Sequence, residues 1–108
     1  MTQIERIAKM ESILQDAADT LGQFHSALER YEAIQSQIMA LRAYYSSQEW
    51  QDDFACDAAG LLPSDLRRGV LSEDEVYDLL LLNRELLAHM REIVRQHGED
   101  ERDDDHDQ

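Results

Sequence analysis

The sequence predicts an all-α protein in which a long N-terminal helix, a short second helix and a third helix form a helical hairpin or a three-helix bundle. Apolar residues recur at intervals of three or four along most of the chain, which is the period of an α-helix. At three predicted helix starts, a Ser or Thr is followed three positions later by Glu, the pattern of a capping box. With 108 residues and 43% hydrophobic content, the chain fits one small domain.

The first helix is predicted from Thr2 to Tyr45, a stretch without proline. Thr2 and Glu5 have capping-box spacing, in which each side chain satisfies a backbone donor that the first helical turn leaves free. The apolar residues that follow have the spacing of a coiled-coil seam, although three polar residues interrupt it. The apolar residues are Ile7, Met10, Leu14, Ala17, Leu21, Phe24, Leu28, Tyr31, Ile34, Ile38, Leu41 and Tyr45, and the interruptions are His25, Gln35 and Arg42.

The second helix is predicted to begin at Ser46, which has capping-box spacing with Glu49. Tyr45 and Trp50 occupy the positions of a hydrophobic staple around this start. Gly60 follows two alanines and is predicted to end the helix in a left-handed conformation.

The third helix is predicted to begin at Ser72, which has the same spacing with Glu75, and Leu71 and Val76 take the staple positions. Gly98 is predicted to end it. Residues 1–98 then form one helical domain, and residues 99–108 form a disordered acidic tail without any apolar residue to bury. The apolar face of this helix comprises Val76, Leu79, Leu80, Leu86, Leu87, Met90, Ile93 and Val94, with Asn83 among them.

Helix lengths predict an uncovered surface at the N-terminus. At 1.5 Å per residue the first helix spans about 65 Å and the third about 38 Å, so antiparallel pairing leaves roughly a third of the first helix without a partner. The apolar residues there are expected to form a homodimer or partner interface. The alternative is a bend near Gly22 that folds the first helix back on itself. The candidate interface residues are Ile4, Ile7, Met10 and Leu14.

Composition narrows the classes of partner and the compartment. The formal net charge of −14 disfavours direct binding to nucleic acid or to anionic lipid. Cys56 is the single cysteine, which favours a reducing compartment. The start of the chain lacks the basic and apolar regions of a signal peptide, and no apolar run approaches the ~20 residues of a membrane span. We therefore expect a soluble, cytoplasmic protein.

The connection between the second and third helices contains the candidate polar cluster. Asp53 and Asp57 lie one helical turn apart, and Arg68 follows a proline turn that could return it to them. The first interpretation is structural, with Arg68 bridging both carboxylates and pinning the connection. The alternatives are a small polar binding surface or an acid/base or metal site built on the two carboxylates. The aromatic residues that would contribute to the polar surface are Tyr44, Tyr45, Trp50 and Tyr77.

Three segments, YYSSQEW, DFACD and GLLPSDLRRGVLSEDEVYDLL, resemble the signature of a family of short bacterial proteins known as domain of unknown function 4298. The resemblance covers nearly the whole chain and implies an all-α fold, a bacterial or phage origin and no assigned activity. Gly22 and the acidic tail depart from the family pattern. The matching positions are Tyr44, Tyr45, Trp50, Asp53, Asp57, Gly60, Pro63, Asp65, Leu66, Arg68, Gly69, Val70, Leu71, Ser72, Glu73, Asp74, Tyr77 and Leu80.

These observations favour a small acidic interaction or adaptor protein, homodimeric and bound to a protein partner, over an enzyme. No trio of nucleophile, base and orienting residue, no phosphate-binding loop and no metal motif is evident in the sequence, so no catalytic residue, metal ligand or cofactor is predicted. The alternative function is an acidic mimic of DNA, of phage or mobile-element origin, that inhibits a nucleic-acid-binding enzyme as a counter-defence. Its basis is the net charge of −14.

Overall fold

A computed structural model describes the backbone of residues 1–106 and the side chains of residues 1–98. Three α-helices follow one another: α1 (Gln3–Tyr45), α2 (Gln48–Ala58) and α3 (Glu73–His106), with a short 3-10 helix at Gly69–Leu71 before α3. No strand occurs in the described backbone. The predicted all-α class and the order of a long, a short and a third helix are confirmed.

The cap predicted for α1 at Thr2 is present, but the Glu5 carboxylate accepts the Thr2 hydroxyl and not, as a capping box requires, the Thr2 amide. The Thr2 hydroxyl donates to Oε1 of Glu5 at 3.1 Å, and the Glu5 amide donates back to Thr2 Oγ1 at 3.1 Å. The helix then continues through Gly22 without a break to Tyr45. The alternative fold-back at Gly22 is therefore wrong, because the 43-residue helix keeps its hydrogen bonding through the glycine.

The chain divides into two compact units, residues 1–39 and residues 40–108. The first unit contains α1 as far as Met39, and all its residues from Met1 to Arg30 are exposed. Partial burial begins at Tyr31 and recurs at Gln35 and Ile38. These three positions are spaced by four and three residues, so they share one face of the helix.

The start of α2 differs from the prediction by one residue. The N-cap is Ser47 rather than Ser46: Ser47 Oγ accepts the Trp50 amide at 3.1 Å and donates to the Tyr44 carbonyl at 2.6 Å. Tyr45 and Trp50 are in contact as predicted, with ring centroids 5.3 Å apart in an edge-to-face arrangement. A pair of consecutive serines offers two possible caps, and the helix begins after the second.

The end of α2 is the predicted glycine cap. Gly60 has φ +72°, the left-handed conformation that glycine adopts without a Cβ clash. Its amide donates to the Asp57 carbonyl at 3.0 Å, and the Leu61 amide donates to the Cys56 carbonyl at 3.1 Å. This pair of hydrogen bonds is the Schellman motif, which satisfies the last carbonyls of the helix.

Trp50 is the centre of the second unit and is 92% shielded from solvent, with 8% exposed. Its ring stacks on Phe54 at 5.1 Å, and its Nε1–H donates to the Val70 carbonyl at 2.9 Å. Tyr45 donates from its hydroxyl to the Glu73 carbonyl at 3.3 Å. These contacts join the last turn of α1, α2, the 3-10 helix and the first residue of α3. Leu71 and Val76, the predicted staple pair, are also buried.

The start of α3 retains half of its predicted capping box. The Glu75 amide approaches Ser72 Oγ at 3.4 Å, but the Ser72 amide donates to the Gly69 carbonyl instead of to Glu75. The Glu75 side chain lies over Gly69, where an ideal Cβ would stand 2.5 Å from Glu75 Oε2. Gly69 therefore leaves the space that this carboxylate occupies.

The prediction that Gly98 ends α3 is wrong, because the helix runs to His106. Interior glycine costs a helix only about 1 kcal/mol, which the surrounding turns offset. The side chains of residues 99–108, and the backbone of residues 107 and 108, lie outside the described residues. The disordered acidic tail predicted for residues 99–108 therefore stays a prediction.

Candidate functional site

The polar cluster at the connection forms two separate pairs rather than one bridge. Arg68 Nη1 donates to Asp57 Oδ1 at 3.0 Å, whereas Asp53 Oδ2 accepts the Tyr44 hydroxyl at 2.6 Å. The predicted bridging of both carboxylates by Arg68 is therefore wrong. Tyr44 lies at the end of α1, and its hydroxyl bonds to Asp53 on α2. Arg68 pairs with Asp57 instead.

The Arg68–Asp57 pair is partly exposed, with 39% and 30% of the two side chains accessible to water. Because water screens the attraction, such a pair contributes between about 0 and 1 kcal/mol to stability. Its position is nevertheless specific: Asp57 is in the last turn of α2, and Arg68 immediately precedes the 3-10 helix. The ion pair spans the loop that contains Pro63 and limits its freedom.

The hydrogen bond from Tyr44 to Asp53 raises the pKa of Tyr44 to about 12, since a carboxylate acceptor favours the protonated phenol. Partial desolvation and the negative charges of Asp53 and Glu49 act in the same direction. A phenol with this pKa is a poor general base at neutral pH. The pair therefore positions α2 against the end of α1.

Trp50 and Tyr77, predicted beside this cluster, have different roles. Trp50 is part of the small core, as described above. Tyr77 is 58% exposed and makes no hydrogen bond or ring contact with any described side chain. The geometry thus yields two separate pairs that fasten the connection, one at Asp53 and one at Asp57. No group of three or more His, Cys, Asp or Glu side chains in the described part of the chain has the arrangement of a metal site.

The predicted interface residues Ile4, Ile7, Met10 and Leu14 are all exposed, with exposed fractions from 54% to 81%. The exposed apolar row continues beyond them through Leu28. We call this surface the α1 seam, and define it by the heptad positions a and d. The a positions are Ile7, Leu14, Leu21 and Leu28, and the d positions are Met10, Ala17 and Phe24.

Continuation of this heptad gives Tyr31, Gln35 and Ile38, the positions of the first unit that are partly buried. The α1 seam therefore lies on the same face of α1 as these partly buried positions. Few charges flank it: on its edges lie Ile4, Ile13 and several small residues, with Arg6 and Glu11 near one end.

A second exposed apolar row, on α3, was not singled out in the sequence. The predicted broad face divides into an inner row that is buried or half-buried and an outer row that is exposed. The outer row includes Leu82, which the sequence prediction left out, and a heptad reading of α3 could have found it. The inner row is Val76, Leu80, Asn83, Leu87 and Met90, and the outer row is Leu79, Leu82, Leu86 and Ile93.

Comparison with curated proteins and with solved structures found no match. Within the described residues, no helix is both long enough and apolar enough to cross a bilayer. The model of one family, Domain of unknown function (DUF4298), matches residues 7–93, which include all of α2 and most of α1 and α3. The chain belongs to the DUF4298 family.

Proposed function

We propose that the protein is a small acidic helical adaptor that dimerises through the α1 seam. The observation that supports this proposal is the row of eight large apolar side chains between Ile4 and Leu28, each between 39% and 81% exposed. Such a row makes a patch of roughly several hundred Å², and monomeric proteins rarely leave patches of that size uncovered.

The chain has little core with which to offset this exposure. Among the residues whose side chains the structure describes, the buried apolar ones are Trp50, Leu71 and Val76, and none is completely buried. Burial of a large apolar side chain contributes about 1.5–3 kcal/mol. Covering the α1 seam would therefore contribute more apolar burial than the core of the second unit does.

A second copy of the chain suits the α1 seam because of its pattern. Positions a and d are apolar over three consecutive heptads, which is the requirement for pairing of helices as a coiled coil. The flanking positions are mostly apolar or small, so identical helices can approach without facing rows of like charge. A two-fold symmetric dimer uses the α1 seam of both copies in one interface, so no seam is left exposed to bind a third copy.

Light scattering coupled to size-exclusion chromatography tests this proposal. We expect a mass of twice the 12.5 kDa of the chain at micromolar concentration. Ile7→Glu combined with Leu14→Glu should yield the monomer, because both carboxylates would be buried in the seam. Far-UV circular dichroism should show that the remaining helices persist.

The matched control is Ser12→Glu with Ser26→Glu, which adds the same charge to α1 on the face opposite the seam. This variant should remain dimeric. A wild-type monomer at all accessible concentrations, or an equal loss of dimer in both double variants, would contradict the proposed interface.

One observation favours the alternative, an acidic DNA mimic. Of the many described carboxylates, few contact a cationic or histidine side chain, so most of the negative charge is available to a basic groove. The contacts are His25–Glu29, Arg68–Asp57 and Arg95–Glu92. Binding of a mimic to its target enzyme must fall steeply with salt and must be competed by duplex DNA. A partner that survives both treatments excludes the mimic.

A further inference from the structure

The outer row of α3 has the geometry of a helix-binding surface. Leu79, Leu82, Leu86 and Ile93 lie at spacings of three, four and seven residues, so they form a single line along the helix. Between 41% and 53% of each residue is exposed. We call this line the α3 outer row. It belongs entirely to the second unit and is distinct from the α1 seam.

A groove continues the α3 outer row at its N-terminal end. It has a volume of about 480 Å³ and opens between the end of α1, the 3-10 helix and the first turns of α3. Leu41, Val70 and Val76 line it with apolar atoms, and Leu79 belongs to both the groove and the row. Arg67 and Glu75 also line it, so the groove itself carries one charge of each sign and the acidic flank lies along the row. An apolar side chain at the end of a docked helix would fit this groove.

Acidic residues flank the α3 outer row along its whole length. Asp78, Glu85 and Glu92 recur every seven residues on the side away from the inner row. Arg95 donates two hydrogen bonds to Glu92, which lowers the pKa of this carboxyl group and partly compensates its charge. Asp78 and Glu85 make no ion pair or hydrogen bond with any described side chain.

This charge pattern argues against an antiparallel second copy at the α3 outer row. In an antiparallel pair of identical helices, residues at this flanking position face their own copies, so the acidic residues would meet acidic residues. A helix that carries Lys or Arg along the matching flank would instead gain complementary charge over two helical turns or more. The α1 seam of a second copy lacks such a basic row.

We propose that the α3 outer row and its groove bind a basic amphipathic helix of a partner protein, with apolar residues in the row and Lys or Arg against Asp78 and Glu85. This surface would supply the partner-binding function of the adaptor proposed above. It does not require the α1 seam, so the two proposals can fail separately.

Fluorescence anisotropy with a labelled synthetic helix tests this inference on the full chain. The probe has three heptads with Leu at a and d and Lys at e and g, and the comparison peptide has Glu in place of Lys. We expect the Lys peptide to bind at least tenfold more tightly than the Glu peptide. Asp78→Lys with Glu85→Lys should reverse that preference.

Two variants separate docking from general attraction between a cation and an acidic protein. Leu82→Glu with Leu86→Glu makes the chain more acidic, so attraction by charge alone would strengthen, whereas docking in the row would be lost. Asp16→Lys with Asp19→Lys changes the charge as much as the reversal does, but on α1 and not on α3, and should retain the preference for the Lys peptide.

Unchanged or tighter binding of the Lys peptide by Leu82→Glu/Leu86→Glu would overturn the proposal, as would an equal reversal by Asp16→Lys/Asp19→Lys. Light scattering on Leu82→Glu/Leu86→Glu tests whether a second copy of the chain occupies the α3 outer row. If that variant loses a dimer that the wild type forms, a second copy occupies the row and the proposal is wrong. If the wild-type protein is monomeric and still prefers the Lys peptide, the proposed dimer interface on α1 is wrong, whereas the proposed binding surface on α3 is supported.

Discussion

Tyr44 and Trp50 show how single side chains hold the connection of this protein. Trp50 uses its ring against Tyr45 and Phe54 and its Nε1–H against the Val70 carbonyl, so one residue links α2 to the loop that follows it. Tyr44 fixes α2 from the other side by donating to Asp53 at 2.6 Å. Both residues combine an apolar body with a polar atom, which lets them pack and satisfy a hydrogen bond together.

The hydrogen bond of Tyr44 predicts a pH dependence. Its pKa of about 12, compared with the ordinary value of 10.0, means that the fold favours the protonated phenol. The stabilisation is therefore complete below about pH 10 and is lost as the pH rises through about 12. An ultraviolet titration of tyrosinate should show one late component among the four tyrosines.

Tyr44→Phe should abolish this late component, whereas Tyr77→Phe, which alters an exposed ring without a partner among the described residues, should retain it. A late component that persists in Tyr44→Phe would mean that a different tyrosine carries the raised pKa.

At the level of elements, the glycines of this chain have different roles according to backbone conformation. Gly60 is left-handed at the end of α2, whereas Gly22 lies within α1 and has no neighbouring atom within 4 Å of an added Cβ. The space around Gly60 is equally open. Conformation rather than crowding therefore distinguishes the two positions.

Alanine substitution should consequently have opposite effects at these glycines. Gly60→Ala should lower the free energy of unfolding by about 1–2 kcal/mol, because a Cβ is disfavoured in the left-handed region. Gly22→Ala should raise it by about 0.5–1 kcal/mol, because alanine loses less entropy in a helix. Urea unfolding at one fixed protein concentration measures both, since association makes stability depend on concentration. A stabilising Gly60→Ala would contradict the Schellman end of α2.

On the scale of the whole molecule, apolar exposure and negative charge occur together. The chain carries 24 acidic and 10 basic residues, and few of the described carboxylates are paired. Exposed apolar rows favour association, while net charge of one sign opposes contact with other acidic surfaces. Association at either apolar row would therefore depend on the charge pattern around that row.

Self-repulsion of this net charge predicts a response to salt. Raising the ionic strength from about 0.01 M to about 0.15 M shortens the Debye length from about 30 Å to about 8 Å. The midpoint of thermal unfolding should therefore rise over this range, because repulsion among carboxylates in the folded chain is screened. A constant or falling midpoint would show that attractive charge pairs outweigh the repulsion.

The sequence alone determined the helices and most of their ends. Capping at Thr2, the glycine cap at Gly60 and the aromatic contact of Tyr45 with Trp50 follow from local spacing, because each involves residues within a few positions of one another. Residue types, heptad spacing and length also predicted the exposed N-terminal row. Gly98 shows the limit of this reasoning, since a glycine permits a helix end without requiring one.

Tertiary structure decided the contacts that join distant segments. Arg68 had two carboxylates within reach by sequence, and only the positions of the end of α1 and of α2 assign Asp53 to Tyr44 and leave Asp57 to the arginine. Ser47 rather than Ser46 caps α2, and the broad apolar face of α3 divides into buried and exposed rows because only one side of it is covered. Contacts between residues that are distant in the sequence depend on their positions in space, and the spacing of residues along the sequence does not determine those positions.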